Sequence, residues 1–389
     1  MATYISSNAN RFYVAEETAY GQAATIDATN RFPAARLQAQ QLMQPGKRLD
    51  KTGTRTFLGT SRNARRDTAF QVRTYLTSWT GAGQPSYGPL FHSALGASPQ
   101  MNSGLLVASM ETATQLKTAT PHGLAFGEAV SFSNEIRFVT SVSDPVTITV
   151  TAPFSSTPNQ NAMLAPAITY GLSTALPSVT LYDYWDPLSA VSRIVTGAAA
   201  NSLDIAVNGD YHQFMFDGPA ADLIDSSSFN PGMGGLSSFP EEPALSTFDY
   251  SIVPGHLGEV WLGSPVNQVF TLTSATIGVN NQIEVRNKEF GTSYPRALAP
   301  GARIVNCDFT LLAQSDAQTS ALYAAAKLRN SISALLQLGQ QQGQLMGIFL
   351  PNVVPEIPNY NDSETRLLWE FKNNRAQGTS DDEISIAFA

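Results

Sequence analysis

Chemistry in this chain of 389 residues would have to come from four histidines, one cysteine and a few clusters of charge. A metal centre or a base–nucleophile pair needs its groups at short, fixed spacing. His92, His122, His212 and His256 are scattered with no such partner nearby, so each reads as a turn or surface histidine. Gly46-Lys47-Arg48 lacks the leading glycine and the hydroxyl residue of a phosphate loop. No Gly-x-Ser-x-Gly occurs, which removes the strained elbow that presents a serine nucleophile. Glu241-Glu242 lies between prolines and reads as a solvated linker. Asp381-Asp382-Glu383 precedes a strand and could hold a cation, although carboxylates crowded in a loop are usually just hydrated. These residues support no catalytic centre and call for no cofactor or metal.

Positive charge is concentrated elsewhere. Lys47, Arg48, Lys51, Arg55, Arg62, Arg65 and Arg66 share one polar stretch, Gln44–Arg66. Nucleic acid is one partner for such a stretch, but only Phe57 interleaves the cations, and the chain carries a net charge of −8. An acidic surface on a neighbouring subunit suits it better, because complementary charge sets register and association rate. A second loop, Asn287–Pro300, carries Lys288 and Arg296, with Arg286 just before it. Together these cations are the candidate contacts between subunits.

Composition agrees with an assembly role. Charged residues make up 14% of the chain, against about a quarter in ordinary globular proteins. Ser, Thr, Asn and Gln supply the remaining polarity, while 28 Gly and 23 Pro punctuate often, as in turn-rich β proteins. The length predicts two or three domains. Cys307 has no partner for a disulfide and sits in a strand pattern, where a lone cysteine packs as core. The first ten residues lack the basic head and apolar run of a signal peptide, and no stretch reaches membrane-spanning length. The expectation is a protein made and kept in a cytoplasm, away from membranes.

The elements that would position such contacts are written twice. Val305, Cys307, Phe309 and Leu311 alternate with polar residues, the period of a half-buried strand. Ser315 to Gln318 then forms a capping-box pattern that opens a helix with Ala321, Leu322, Ala325 and Leu328 on one face. Earlier, Phe70, Val72 and Thr74 alternate in the same way, and Pro89–Leu95 lines up with Ala321–Lys327. The chain therefore divides into an irregular arm (1–33), a first unit (34–112, continued at 170–225), an inserted β piece (113–169), a Gly/Pro/Ser-rich linker (226–265) and a second unit (266–389). Asn208-Gly209-Asp210 marks a tight hairpin within the first unit. The fold class is mainly β, with one helix per unit.

Arg11-Phe-Tyr-Val-Ala-Glu-Glu-Thr-Ala-Tyr-Gly21 resembles the opening of tail tube (major tail) proteins of long-tailed, siphovirus-like bacteriophages. Asp50–Thr56 through Leu76, and Gly88–Gly96, are similar to that family's first unit. Pro300-Gly-Ala-Arg303, Leu322–Ala326 and Arg375–Ile384 are similar to its later part. The resemblance spans most of the chain except 113–169 and rests on the order of these phrases. It implies two tandem tail-tube-like units of antiparallel sheets, each with a flanking helix. Subunits of that family join sheet to sheet into rings whose inner wall is a β-barrel. The doubled unit implies homotrimeric pseudo-hexameric rings, with hexamers the other possibility, stacked into a tube in the virion tail. Genomic DNA would pass through the lumen unbound. The other implied partners are the tape measure, distal tail and terminator proteins, with assembly in the host cytoplasm. The long loops and the arm would meet the next ring, and the insertion would face outward. A tail-end ring protein is the alternative within this class. A carbohydrate-binding β module is a rival outside it, but Trp79, Trp185, Trp261 and Trp369 are dispersed rather than clustered.

Overall fold

The computed structural model describes residues 4–46, 49–57, 59–60, 64–244 and 250–389. Its architecture is mainly β, in antiparallel ladders, with two α-helices among the described residues. The strands of the body are numbered here in chain order. The first half holds β1 (Asn10–Glu16), β2 (Ala34–Gln44), β3 (Arg65–Tyr75), helix α1 (Gly88–Leu95), β4 (Val179–Trp185), β5 (Arg193–Ala198), β6 (Ser202–Val207), β7 (Gln213–Ala220) and β8 (Asp222–Asp225). The second half holds β9 (Gly258–Gly263), β10 (Leu272–Asn280), β11 (Ile304–Leu312), helix α2 (Ala317–Leu328), β12 (Ile332–Leu338), β13 (Met346–Val354), β14 (Asn359–Asn361), β15 (Leu368–Phe371) and β16 (Ser385–Phe388).

Two layers result. The wide inner sheet runs β2-β3-β7-β6-β10-β11-β15-β14, so the β6–β10 ladder joins the two halves. Behind it lie the outer sheet β1-β4-β5-β8 and the outer ladder β9-β12-β13-β16, the latter joined to β11 of the inner sheet through the short strand Arg375–Ala376. Period-2 alternation decides which side of each inner strand is covered. Phe70 and Val72 of β3, Leu203 and Ile205 of β6, and Cys307 and Phe309 of β11 all turn into one continuous core beneath the outer sheets. Cys307 is buried there, and burial pushes its thiol up to about 12.

Both helices lie under tight local control. Helix α1 starts with Pro89 in its first turn, where the missing N–H costs nothing, and stops at Gly96 in the left-handed region. Helix α2 is capped by Asp316, whose carboxylate accepts from the Thr319 N–H at 2.6 Å, one residue later than the Ser315 expected. The expected apolar stripe is also shifted. Leu322 and Ala326 are buried, whereas Leu328 is 69% exposed.

Other expectations change in the same way. The sequence reads 1–33 as an irregular arm, yet β1 lies inside it, paired along its length with β4. Phe12, Tyr13, Val14 and Ala15 are all buried, because this strand is covered on both faces; no alternation could announce it. The predicted linker 226–265 likewise contains β9. Its earlier part is a strap, with Phe229, Met233, Leu236 and Phe239 lying on Tyr13, Tyr182, Tyr184, Ile194 and Ile224 of the first outer sheet.

The inserted sheet starts earlier than residue 113. It is six-stranded and includes Leu105–Met110 and Met163–Leu164, with its own core around Val107, Leu116, Val139 and Ile148. The returning strand Ala167–Tyr170 pairs with β16 and so extends the second outer sheet. Among the described residues no helix is long and apolar enough to cross a membrane.

Candidate functional site

The inner sheet has one face without a second layer. Along it stand Arg36 and Gln38 from β2, Gln71 and Arg73 from β3, Met215 and Asp217 from β7, and Ser202 and Asp204 from β6. The row continues with Thr276 from β10, Asn306 and Asp308 from β11, and Glu370 from β15. Each belongs to the polar half of an alternating strand whose other half is core. By the same pairing Asp67, Asp204, Asp217, Asp308 and Glu370 share this face with Arg36, Arg65 and Arg73, and Lys372 pairs with Glu370 beside it, so the face is polar and carries charges of both signs. Partial burial, together with the neighbouring Asp217, holds the Asp204 carboxyl above its ordinary value.

Both ends of the sheet are open. Strand β2 pairs only with β3, and β14 only with β15, among the described residues. The eleven-residue β2 shows Leu42 and Met43 more than half exposed. A long edge strand with exposed apolar side chains is a template for pairing with another chain.

The expected cationic contacts gather at one end of this sheet. Lys47, Arg48 and Arg62 lie outside the described residues. Lys51 and Arg55 are exposed. Arg65 donates to the Lys288 carbonyl at 3.2 Å, and the Arg66 N–H donates to the Ser293 carbonyl at 2.7 Å, so the β2–β3 and β10–β11 loops lie side by side. Arg286 pairs with Glu289, while Lys288 and Arg296 face solvent. The guanidinium of Arg66 is engaged within the chain, 2.8 Å from Asp222 of β8. Phe57, the one aromatic among these cations, is 72% exposed, and Leu49 and Phe290, which the sequence did not single out, are 89% and 100% exposed. Loop residues carry no periodicity, so only the structure could mark them as a surface.

Residues singled out for other chemistry turn out to be structural. His92 lies on α1 with Nδ1 2.9 Å from Glu16, and this contact holds the Glu16 carboxyl below its ordinary value. Glu17 beside it accepts from Gly21 N–H, Ser178 Oγ, Thr180 Oγ1 and Gly197 N–H, all within 2.8 Å. The paired glutamates of the Ala15–Gly21 phrase thus pin the chain where it leaves β1. His212 is buried and donates from Nε2 to the Leu257 carbonyl at 3.1 Å. Glu242 is not solvated: Arg11 holds it at 2.5 and 2.6 Å, and Tyr13 Oη donates to it at 2.9 Å. Asp381 and Glu383 face Arg303 at 3.0 and 3.3 Å, so a guanidinium stands where a cation was considered. Among the described residues no group of three or more His, Cys, Asp or Glu is placed to hold a metal ion.

The geometry therefore leaves an uncovered polar sheet face of mixed charge, two open sheet edges and a rim of exposed loops. No family model matches the chain, and no curated protein is significantly similar to it.

Proposed function

We propose that this chain consists of two tandem copies of one tail-tube-like unit and that it builds the tail tube of a long-tailed bacteriophage. The observation that carries the reading is the order of pairing. In the first half, β1 pairs β4, β4 pairs β5 and β5 pairs β8, while β2, β3, β7 and β6 are consecutive in the inner sheet. In the second half, β9 pairs β12, β12 pairs β13 and β13 pairs β16, while β10, β11, β15 and β14 are consecutive. Each of these numbered strands thus corresponds to the one eight places later, and each helix falls between equivalent strands, while the short strands Val266–Gln268, Glu284–Val285, Leu298–Ala299 and Arg375–Ala376 belong to the second half alone.

Within the chain, the last inner strand of the first unit, β6, joins the first of the second, β10. The open β14 of one chain and the open β2 of the next are the same two strands in the same relation. Repeating that join closes a ring by a heterologous contact, and three chains supply six units. The uncovered inner face then lines the lumen. Its polar lining, with carboxylates set among the guanidiniums, offers DNA no continuous basic track to adhere to. The side-by-side loops at one end of the sheet, with their exposed Leu49, Phe57 and Phe290, meet the next ring.

End-on averages of the purified protein by negative-stain electron microscopy test the reading. Rings or tubes with a central hole and three-fold outline are expected. Six equal outer lobes would keep the tube and discard the trimer. A protein that stays monomeric at high concentration would remove the proposal.

A further inference from the structure

We infer that the aromatic group Tyr323–Tyr360–Trp369 is the seat of a second copy of this chain, with β14 pairing to the neighbour's β2 so that Tyr360 stands opposite Ala39. The inference rests on the ring reading above and adds which residues meet and in what register.

Its basis is a contrast between the two helices. Phe91 on α1 is fully buried, its ring 5.1 Å from Phe216 and 5.3 Å from Phe214 of the inner sheet. The cluster is closed from the other half of the chain by Phe388 of β16, 5.3 Å away, and from the strand Ala167–Tyr170 by Tyr170 at 5.9 Å. The counterpart of Phe91 on α2 is Tyr323, by the alignment of Pro89–Leu95 with Ala321–Lys327. Tyr323 meets Trp369 at 5.5 Å and Tyr360 at 6.5 Å, and Tyr360 stacks on Trp369 at 5.5 Å with an interplanar angle of 8°.

The inner half of the cluster is thus repeated, but its closing half is not. Tyr360 is left 59% exposed. The Trp369 Nε1–H is shielded from solvent and has no acceptor among the described residues, a costly state for an indole donor. An exposed aromatic side chain stacked on a second ring is what a protein interface uses as an anchor.

The internal join supplies the register. Val72 and Phe309 are equivalent, since each sits opposite an inner-sheet phenylalanine of the helix cluster, Phe216 and Phe371. From there, Ile205 corresponds to Tyr360, because they face Phe214 and Trp369. Ile277 corresponds to Ala39 by the pairings of β10 with β11 and of β2 with β3. Ile205 pairs with Ile277 inside the chain. Between chains, Tyr360 therefore meets Ala39, Asn359 meets Gln40 and Asn361 meets Gln38. The exchange of Ile–Ile for Tyr–Ala keeps the pair's bulk while moving it to one side.

Two variants of the full-length chain test this by sedimentation and electron microscopy. Tyr360→Glu changes an exposed side chain and puts a charge in the seat; it is expected to raise the concentration needed for rings by about tenfold or more. The double variant Asn359→Cys with Gln40→Cys is expected to give disulfide-linked oligomers on mild oxidation of the assembled protein. Asn359→Cys with Arg36→Cys, four residues out of register, is expected to give none. If the unmodified chain forms rings that Tyr360→Glu leaves intact, or if the in-register pair fails to crosslink within them, the seat is wrong and the ring reading survives. If the unmodified chain forms no rings at any concentration, both fall together.

Discussion

The two outer sheets solve one problem in opposite ways. Each has an apolar outer face that must be covered. On β1-β4-β5-β8 the cover is the strap, four half-buried apolar side chains laid over three tyrosines and two isoleucines. Its charges stay at the rim, where Arg11 and Glu242 retain 18% and 12% of their side-chain exposure. On β9-β12-β13-β16 the cover is the inserted sheet, which seals Trp261, Leu335 and Phe349 under Ile136 and Phe138. Phe138 stacks on Phe349 at 5.4 Å, over Gly347, where a Cβ would come within 2.7 Å of the ring.

That second cover buries a charge outright. Arg137 lies 4.1 Å over the Trp261 ring, 3.2 Å from Glu135 and within reach of the Pro153 carbonyl. Gln337 of β12 accepts the Ile136 N–H at 3.0 Å. The difference teaches that a strap can be held by many weak, forgiving contacts. A docked domain with a buried guanidinium tolerates one register only, because any slip strands the charge.

The strongest way to break this comparison is Arg137→Ala. It leaves the Glu135 carboxylate buried with Ser155 donating to it but no cation beside it, and empties the Trp261 face; a loss of about 3–5 kcal/mol is expected, read by urea unfolding. A loss below about 1 kcal/mol would show that the buried pair does not hold the insertion. Next comes Phe239→Ala in the strap. It removes half-buried area and the edge contact with Phe229 at 6.0 Å, so about 1–2 kcal/mol is expected. Hydrogen exchange should rise over 229–243 while the inserted sheet stays protected; a uniform rise would mean the covers are not independent.

Acid provides a smaller and sharper test. Burial pushes the Glu242 carboxyl up, but the hydrogen bonds from Arg11 and Tyr13 and the charge of Arg11 outweigh it, so the group titrates below its ordinary value. Its contribution, about 1 kcal/mol, is present above the ordinary carboxylate range and is lost as pH falls through the lowered value. Glu242→Gln should flatten that part of the stability–pH curve, and an unchanged slope would count against the pair. Smallest is Asp204→Asn on the uncovered face, outside both covers. The Asp204 carboxyl is raised, so its contribution is present at low pH and lost as pH rises through the raised value. The amide should therefore gain a few tenths of a kcal/mol at neutral pH and nothing in acid, measured by thermal melting.

Periodicity made the inner sheet legible. Strands β3 and β11 bury every second side chain, so Phe70–Val72 and Val305–Leu311 announced themselves, and Asn208-Gly209-Asp210 announced the turn after β6. Strand β1 did not, because the strap and the core cover both of its faces. The strap itself did not, because its Gly- and Pro-rich composition is the same whether it crosses solvent or lies on tyrosines. Charge was legible as residues but not as partners: Arg66, Arg303 and Arg11 each find a carboxylate more than seventy positions away.

By itself, then, the sequence determined local pattern: which stretches extend, which turn, where a helix starts, and that a strand–helix phrase occurs twice. Backbone sterics and side-chain alternation act within a few residues, so a linear text can carry them. Only the tertiary structure decided which face of the inner sheet is left bare, which edges stay open, and why Phe91 is sealed while Tyr360 is not. Those depend on which distant segment arrives to cover a surface, and burial is a property of neighbours in space rather than along the chain.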